Sequence, residues 1–163
     1  MNMRKLPEVE EAKALMSAAT DWSVFTWLWE KNSVRETADR ANSVLDRLNR
    51  KIKASWSEEL KAAYHEAVRA SDGRGRKAQS SGPGSAAIDP EVLVLVKKVK
   101  DADDEAHRAR MDAEATFDEA DRQMNVSLAR EGCGKAIRSW ELHEKAIRKA
   151  EAARDFRHKT ALD

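Results

Sequence analysis

The chain has little of what would tie it to most fold and function classes. Its single cysteine, Cys133, cannot form an intrachain disulfide, which points to a reducing, cytoplasmic setting. No apolar run approaches the roughly twenty residues that a membrane-crossing helix needs, and the amino terminus lacks a signal-peptide core, so no membrane partner is expected. Six glycines and three prolines leave few places where a helix must stop. With 30 Lys+Arg against 29 Asp+Glu, the net charge is +1, and no global field attracts nucleic acid or an anionic surface.

Chemical motifs are equally sparse. There is no Gly-x-Ser-x-Gly, no glycine-rich phosphate loop after a strand, and no Cys/His/Asx arrangement, so no catalytic residue and no cofactor is expected. The four histidines, His65, His107, His143 and His158, are scattered. Asp104-x-x-His107 and Asp155-x-x-His158 each put a carboxylate and an imidazole on one helical face. A dimetal carboxylate bundle instead uses Glu-x-x-His on two helices and a Glu from each of two others, all pointing inward. The apolar seams here supply Ala and Val inward, so surface ion pairs are expected and no metal.

What remains is a composition rich in Ala, Glu, Lys and Arg, which predicts an all-α fold and excludes a β-rich one. Pro7 with Glu8, Glu10 and Glu11 starts a helix, and Val9, Ala12, Met16, Ala19 and Trp22 continue an apolar stripe. Whether 7–31 is one helix or breaks at Thr20-Asp21 stays open. Three of the five tryptophans fall within 22–29. Trp22, Phe25, Leu28 and Trp29 share a helical face while Val24 and Trp27 lie around from it, so the segment is read as a core layer or as an anchor for a partner.

Two S-x-x-E patterns, Ser33/Glu36 and Ser55/Glu58, predict helix starts, with a heptad seam Val34, Ala38, Ala41, Leu45, Leu48 and Ile52 between them. The short break near residue 55 predicts an antiparallel pair of helices over 33–70. Residues 71–88 have no core positions and read as a Gly/Ser-rich linker, whose Arg74, Arg76 and Lys77 are the one nucleic-acid hint.

Asp89-Pro90-Glu91 opens a long helix predicted to run to Glu131, and Gly132-Cys133-Gly134 reads as the turn into a returning helix. Its seam is Ala102, Ala106, Ala109, Ala113, Phe117, Ala120, Met124 and Leu128, answered by Ala136, Ile137, Trp140, His143, Ile147, Ala150, Ala153 and Phe156. Nine acids against two bases over 101–121 face eight bases against four acids over 135–159, so opposite charges favour pairing of the two arms. A turn at 132–134 leaves Val92–Val99 uncovered and puts Cys133 in an exposed position at a helix start.

The expected architecture is a helical bundle with a long antiparallel, coiled-coil-like hairpin: a helical unit over 1–70, a linker over 71–88 and the hairpin over 89–163. The function expected is that of a non-enzymatic scaffold or protein-protein interaction protein, self-associating as a homodimer or binding another protein. Its candidate surface is Trp22, Phe25, Trp27, Trp29, Val92, Leu95, Val96 and Val99. A helical-bundle enzyme or a metal or ligand carrier is the alternative, and weak nucleic-acid binding through the basic linker comes third.

Overall fold

Proline at the first helical position and acids in the first turn start α1, Pro7–Ser17, as the sequence implies. The computed structural model describes residues 6–73 and 89–162. A 3₁₀ turn over Ala18–Asp21 follows α1, and Trp22 leaves it in an extended conformation. The open question over 7–31 is thus answered by a break. Neither Thr20 nor Asp21 caps the next helix; Ser23 does, its Oγ accepting the Thr26 amide at 3.3 Å.

Helix α2, Val24–Ala54, then runs unbroken for 31 residues. The capping box at Ser33/Glu36 is not used. No Gly or Pro interrupts this stretch, so continuing the backbone ladder satisfies every amide that a new cap would have to serve. The expected seam is inside: Val34, Ala41, Leu45 and Ile52 are buried, and Ala38 and Leu48 are half-buried. The connection to α3, Glu58–Gly73, is short, and Ser57 rather than Ser55 caps it through the Leu60 amide at 3.3 Å. Ser55 instead donates back to the Ile52 carbonyl at 2.6 Å. Helix α3 passes residue 70, and the expected linker residues Arg74, Arg76 and Lys77 lie outside the described residues.

Helix α4, Pro90–Gln123, begins where the sequence says, with the Asp89 carboxylate accepting the Glu91 amide at 2.9 Å. Its end corrects the sequence reading. The chain turns at Met124-Asn125, and α5, Val126–Leu162, carries Gly132, Cys133 and Gly134 inside it. Met124 adopts the left-handed conformation at φ 49°. Asn125 caps α5, its Oδ1 accepting the amides of Ser127 and Leu128 at 2.9 and 3.2 Å. A Cβ at residue 132 would sit 3.0 Å from the Phe117 ring, so Gly132 is there to admit that ring and not to end the helix.

The fold is therefore an all-α helical bundle, with α4 and α5 as a long antiparallel hairpin. Two compact units form within it, each drawing on both sides of the 74–88 stretch. The first comprises the described residues of 1–47 with 105–144, and the second those of 48–104 with 145–163. In the first, Arg35 donates to Asp118 and Asp121 at 2.9 and 3.1 Å, and Arg110 grips Asp46 with two bonds at 2.9 and 3.1 Å. Lys135 pairs with Asp112 at 3.2 Å, so the acids of α4 do meet a base of α5, yet they also answer bases of α2.

The two helical glycines separate these roles. Gly132→Ala should destabilise the protein by about 1–3 kcal/mol in chemical denaturation, because the new methyl meets the Phe117 ring. Gly134→Ala, with nothing within 4 Å of the added carbon, should stabilise it by up to about 1 kcal/mol. Equal effects at both positions would contradict this packing.

Candidate functional site

The Trp-rich segment divides into a buried and an exposed half. Because Ser23 starts α2, Trp22 lies before the helix and packs from outside it, its ring centroid 5.4 Å from that of Trp27. Trp27 is fully buried and stacks on Phe117 at 5.9 Å with 16° between the planes. Arg130 fixes the approach by donating to the Trp22 carbonyl. The other side of α2 faces outward: Phe25 is 76% exposed, Trp29 77%, and Val24 41%. Phe25 and Trp29 stand one turn apart and form a continuous aromatic face.

The second half of the expected surface is not a surface. Val92, Val96 and Val99 are buried and Leu95 is half-buried. With the turn at 124–125, α5 reaches back further than a turn at 132–134 would allow, and Val99 and Val96 fall roughly opposite Ala150 and Ala153, both buried. Trp27 of the Trp-rich segment stacks on Phe117, at the other end of α4.

Two polar clusters went unnoticed in the sequence. In the second unit, Tyr64 donates to Asp103 at 2.7 Å, and Lys53 donates to both Tyr64, at 3.2 Å, and Asp103. The Lys53 ammonium also lies 4.4 Å from the centroid of the Tyr64 ring. Burial and the Asp103 charge push the Tyr64 phenol well above its ordinary range, so it stays protonated and is no general base. Nearby, the Trp56 indole donates to the Ala150 carbonyl at 2.9 Å. These bonds read as a lock on helix pairing.

The other cluster lies in the first unit, where α2, α4 and α5 leave a cleft of about 290 Å³. Ala38, Ala113 and Ala136 make its small-residue lining, Trp140 stands beside them, and the Trp140 indole donates to Asn42 at 2.9 Å. Arg35, Asp39, Arg110 and Glu114 supply its charges. The signal was in the sequence as two Arg-x-x-x-acid steps, Arg35 to Asp39 and Arg110 to Glu114, in a chain where such pairs are common.

Among the described residues, no group of three or more His, Cys, Asp or Glu is placed to hold a metal ion. His65 and His107 are exposed, His143 is buried, and the side chain of His158 lies outside the described residues. Among those residues, no helix is long and apolar enough to cross a membrane. Compared with known families, curated proteins and solved structures, the chain matches none.

Cys133 corrects a further expectation. It lies within α5, not in a turn, and is 2% exposed. Burial pushes its thiol from the ordinary 9.0 up to about 12. Between those values the unfolded state binds fewer protons than the folded one, so this thiol's contribution to stability is full below pH 9.0 and is lost as pH rises toward about 12. At pH 8, native protein should resist alkylation at Cys133, while protein unfolded in urea should react at the rate of a free thiol. Equal rates in both states would refute the buried assignment.

Proposed function

We propose that this chain is a non-enzymatic helical scaffold that works by protein-protein contact through the exposed aromatic face at the start of α2, with a second copy of itself as the partner. The observation that carries this reading is the exposure of Phe25 and Trp29 on a well-formed helix whose neighbouring Trp22 and Trp27 are buried. Leaving two large aromatic side chains in water forgoes about 1.5–3 kcal/mol each, which burial against a partner recovers.

A second copy suits the shape of this face. An isologous contact needs a patch that complements itself, and two aromatics one turn apart do so when two α2 segments pack antiparallel. Phe25 of each copy then meets Trp29 of the other. Fully buried aromatics contribute about 150–250 Å² each, so this pair offers about 300 Å². Stable interfaces bury about 800 Å² per partner, so the pair forms the centre of the contact and the polar residues around it form the rim. A cytoplasmic setting fits the lone thiol of Cys133.

Sedimentation velocity over about two decades of micromolar concentration tests this directly. The wild-type protein should shift from monomer to dimer as concentration rises. Phe25→Ala/Trp29→Ala should remain monomeric, with an unchanged helical spectrum and a stability within about 0.5 kcal/mol of wild type, because both side chains are exposed. A wild-type protein that stays monomeric throughout overturns the reading.

A further inference from the structure

The exposed aromatic pair is too small an interface by itself, and the missing area lies next to it, in α1. Phe25 and Trp29 offer about 300 Å² of the roughly 800 Å² that each partner of a stable interface buries. α1 is seated along its whole apolar stripe: Val9 and Ala12 are fully buried and Met16 is 2% exposed. Lys13 reaches Glu144 of α5 at 2.8 Å, and Glu11 pairs with Arg40 of α2 at 3.8 Å. Releasing α1 into water forfeits all of this, so α1 leaves its seat only for an identical one. A second copy of the chain offers that seat.

The six residues that join α1 to α2 permit such an exchange. Ala18-Ala-Thr-Asp-Trp-Ser23 contains neither Gly nor Pro, so nothing in its sequence forbids a helix through it. The break is held by a 3₁₀ turn, an extended Trp22 and the exposed bond from the Thr26 amide to Ser23 at 3.3 Å. The buried indole N–H of Trp27, beside Trp22, finds no acceptor among the described residues, so the closed arrangement leaves one donor unanswered. In a continuous helix Trp22 stands three residues before Phe25 and seven before Trp29, on one face. Three aromatics then form a single stripe.

We propose that two copies associate by exchanging α1: the hinge at 18–23 becomes helical, and α1 of each copy takes the α1 seat of the other. This rests on the self-association proposed above and says how the second copy is held. The contacts of α1 are kept, now between chains, and its buried stripe adds to the interface. The register agrees with the exposed face. Midway between Glu11 and Arg40 on a straight helix lie Phe25 and Thr26, so a two-fold axis that pairs Glu11 of one copy with Arg40 of the other crosses α2 there. Phe25 of each copy then lies between Trp22 and Trp29 of the other.

The test is a cross-link between chains. Glu11→Cys and Arg40→Cys, each in a Cys133→Ala background, are unfolded together in urea, refolded together and treated with a short bismaleimide at a concentration where sedimentation shows dimer. Both positions are exposed, so neither change disturbs the fold. Exchange sets residue 11 of one chain beside residue 40 of the other, and the mixture should give a covalent dimer that neither variant gives alone. Without exchange, α2 helices paired antiparallel at residue 27 hold the two 40 positions, each beside its own residue 11, roughly 40 Å apart. No covalent dimer then forms. Val24→Pro tests the hinge, because proline suits the first residue of α2 but in a continuous helix removes an amide bond and clashes with the preceding turn. It should weaken dimerisation at least about tenfold while the monomer stays folded, and Val24→Ala should not. Dimers without the inter-chain cross-link, undiminished dimerisation of Val24→Pro, or equal weakening by Val24→Ala each overturn the exchange and leave self-association standing. A protein monomeric at every concentration overturns both.

Discussion

The approach of Phe117 to Gly132 is the contact on which the helical hairpin depends. Only a residue without a side chain leaves room for the ring, since a Cβ at 132 would lie 3.0 Å from it. Both residues stand seven positions from the turn at Met124-Asn125, so the contact and the turn specify the same register. The same ring stacks on Trp27 and lies 5.5 Å from the guanidinium carbon of Arg35, which is itself held by Asp118 and Asp121. One aromatic side chain thereby joins α2 to both arms of the hairpin.

That dependence explains why the helix content was legible in the sequence and the turn was not. Helix starts announce themselves locally: Asp89-Pro90-Glu91 and Pro7 sit where α4 and α1 begin. Gly132-Cys133-Gly134 carries a local signal of the same strength, but a helical glycine costs only about 1 kcal/mol and a close packing contact outweighs it. The reason for Gly132 lies fifteen residues away, in Phe117, where no local rule looks. Met124 gives no sign of a left-handed conformation. Asn125 before an apolar residue was the available signal, since its side chain replaces the missing hydrogen bonds of two amides.

Charge was read correctly in sign and incompletely in direction. Opposite arms of a hairpin do attract, and Lys135 to Asp112 realises this between α4 and α5. A helix, however, presents its charges on the flanks of its seam, and the flanks face a third helix as readily as the second. Asp103, Arg110, Asp118 and Asp121 of α4 all reach partners on α2. Adjacency in sequence identifies one neighbour, whereas ion pairs record every neighbour within reach.

The tryptophans show the same limit from the apolar side. Periodicity correctly grouped Phe25 with Trp29 and set Trp27 apart, since two residues of helix rotate by about 200°, but it wrongly joined Trp22 to the first group and Val24 to the second, because Trp22 precedes the helix and is buried while Val24 is exposed. It could not say which group turns inward. The larger group has the greater area, and area alone would bury it. Trp27 goes in because it is met from two sides, by Trp22 from the extended residue before α2 and by Phe117 from α4. Once Trp27 is fixed there, a straight helix must carry Phe25 and Trp29 outward, beyond the reach of the same core. The exposed aromatic face is thus a geometric consequence of how the core is closed.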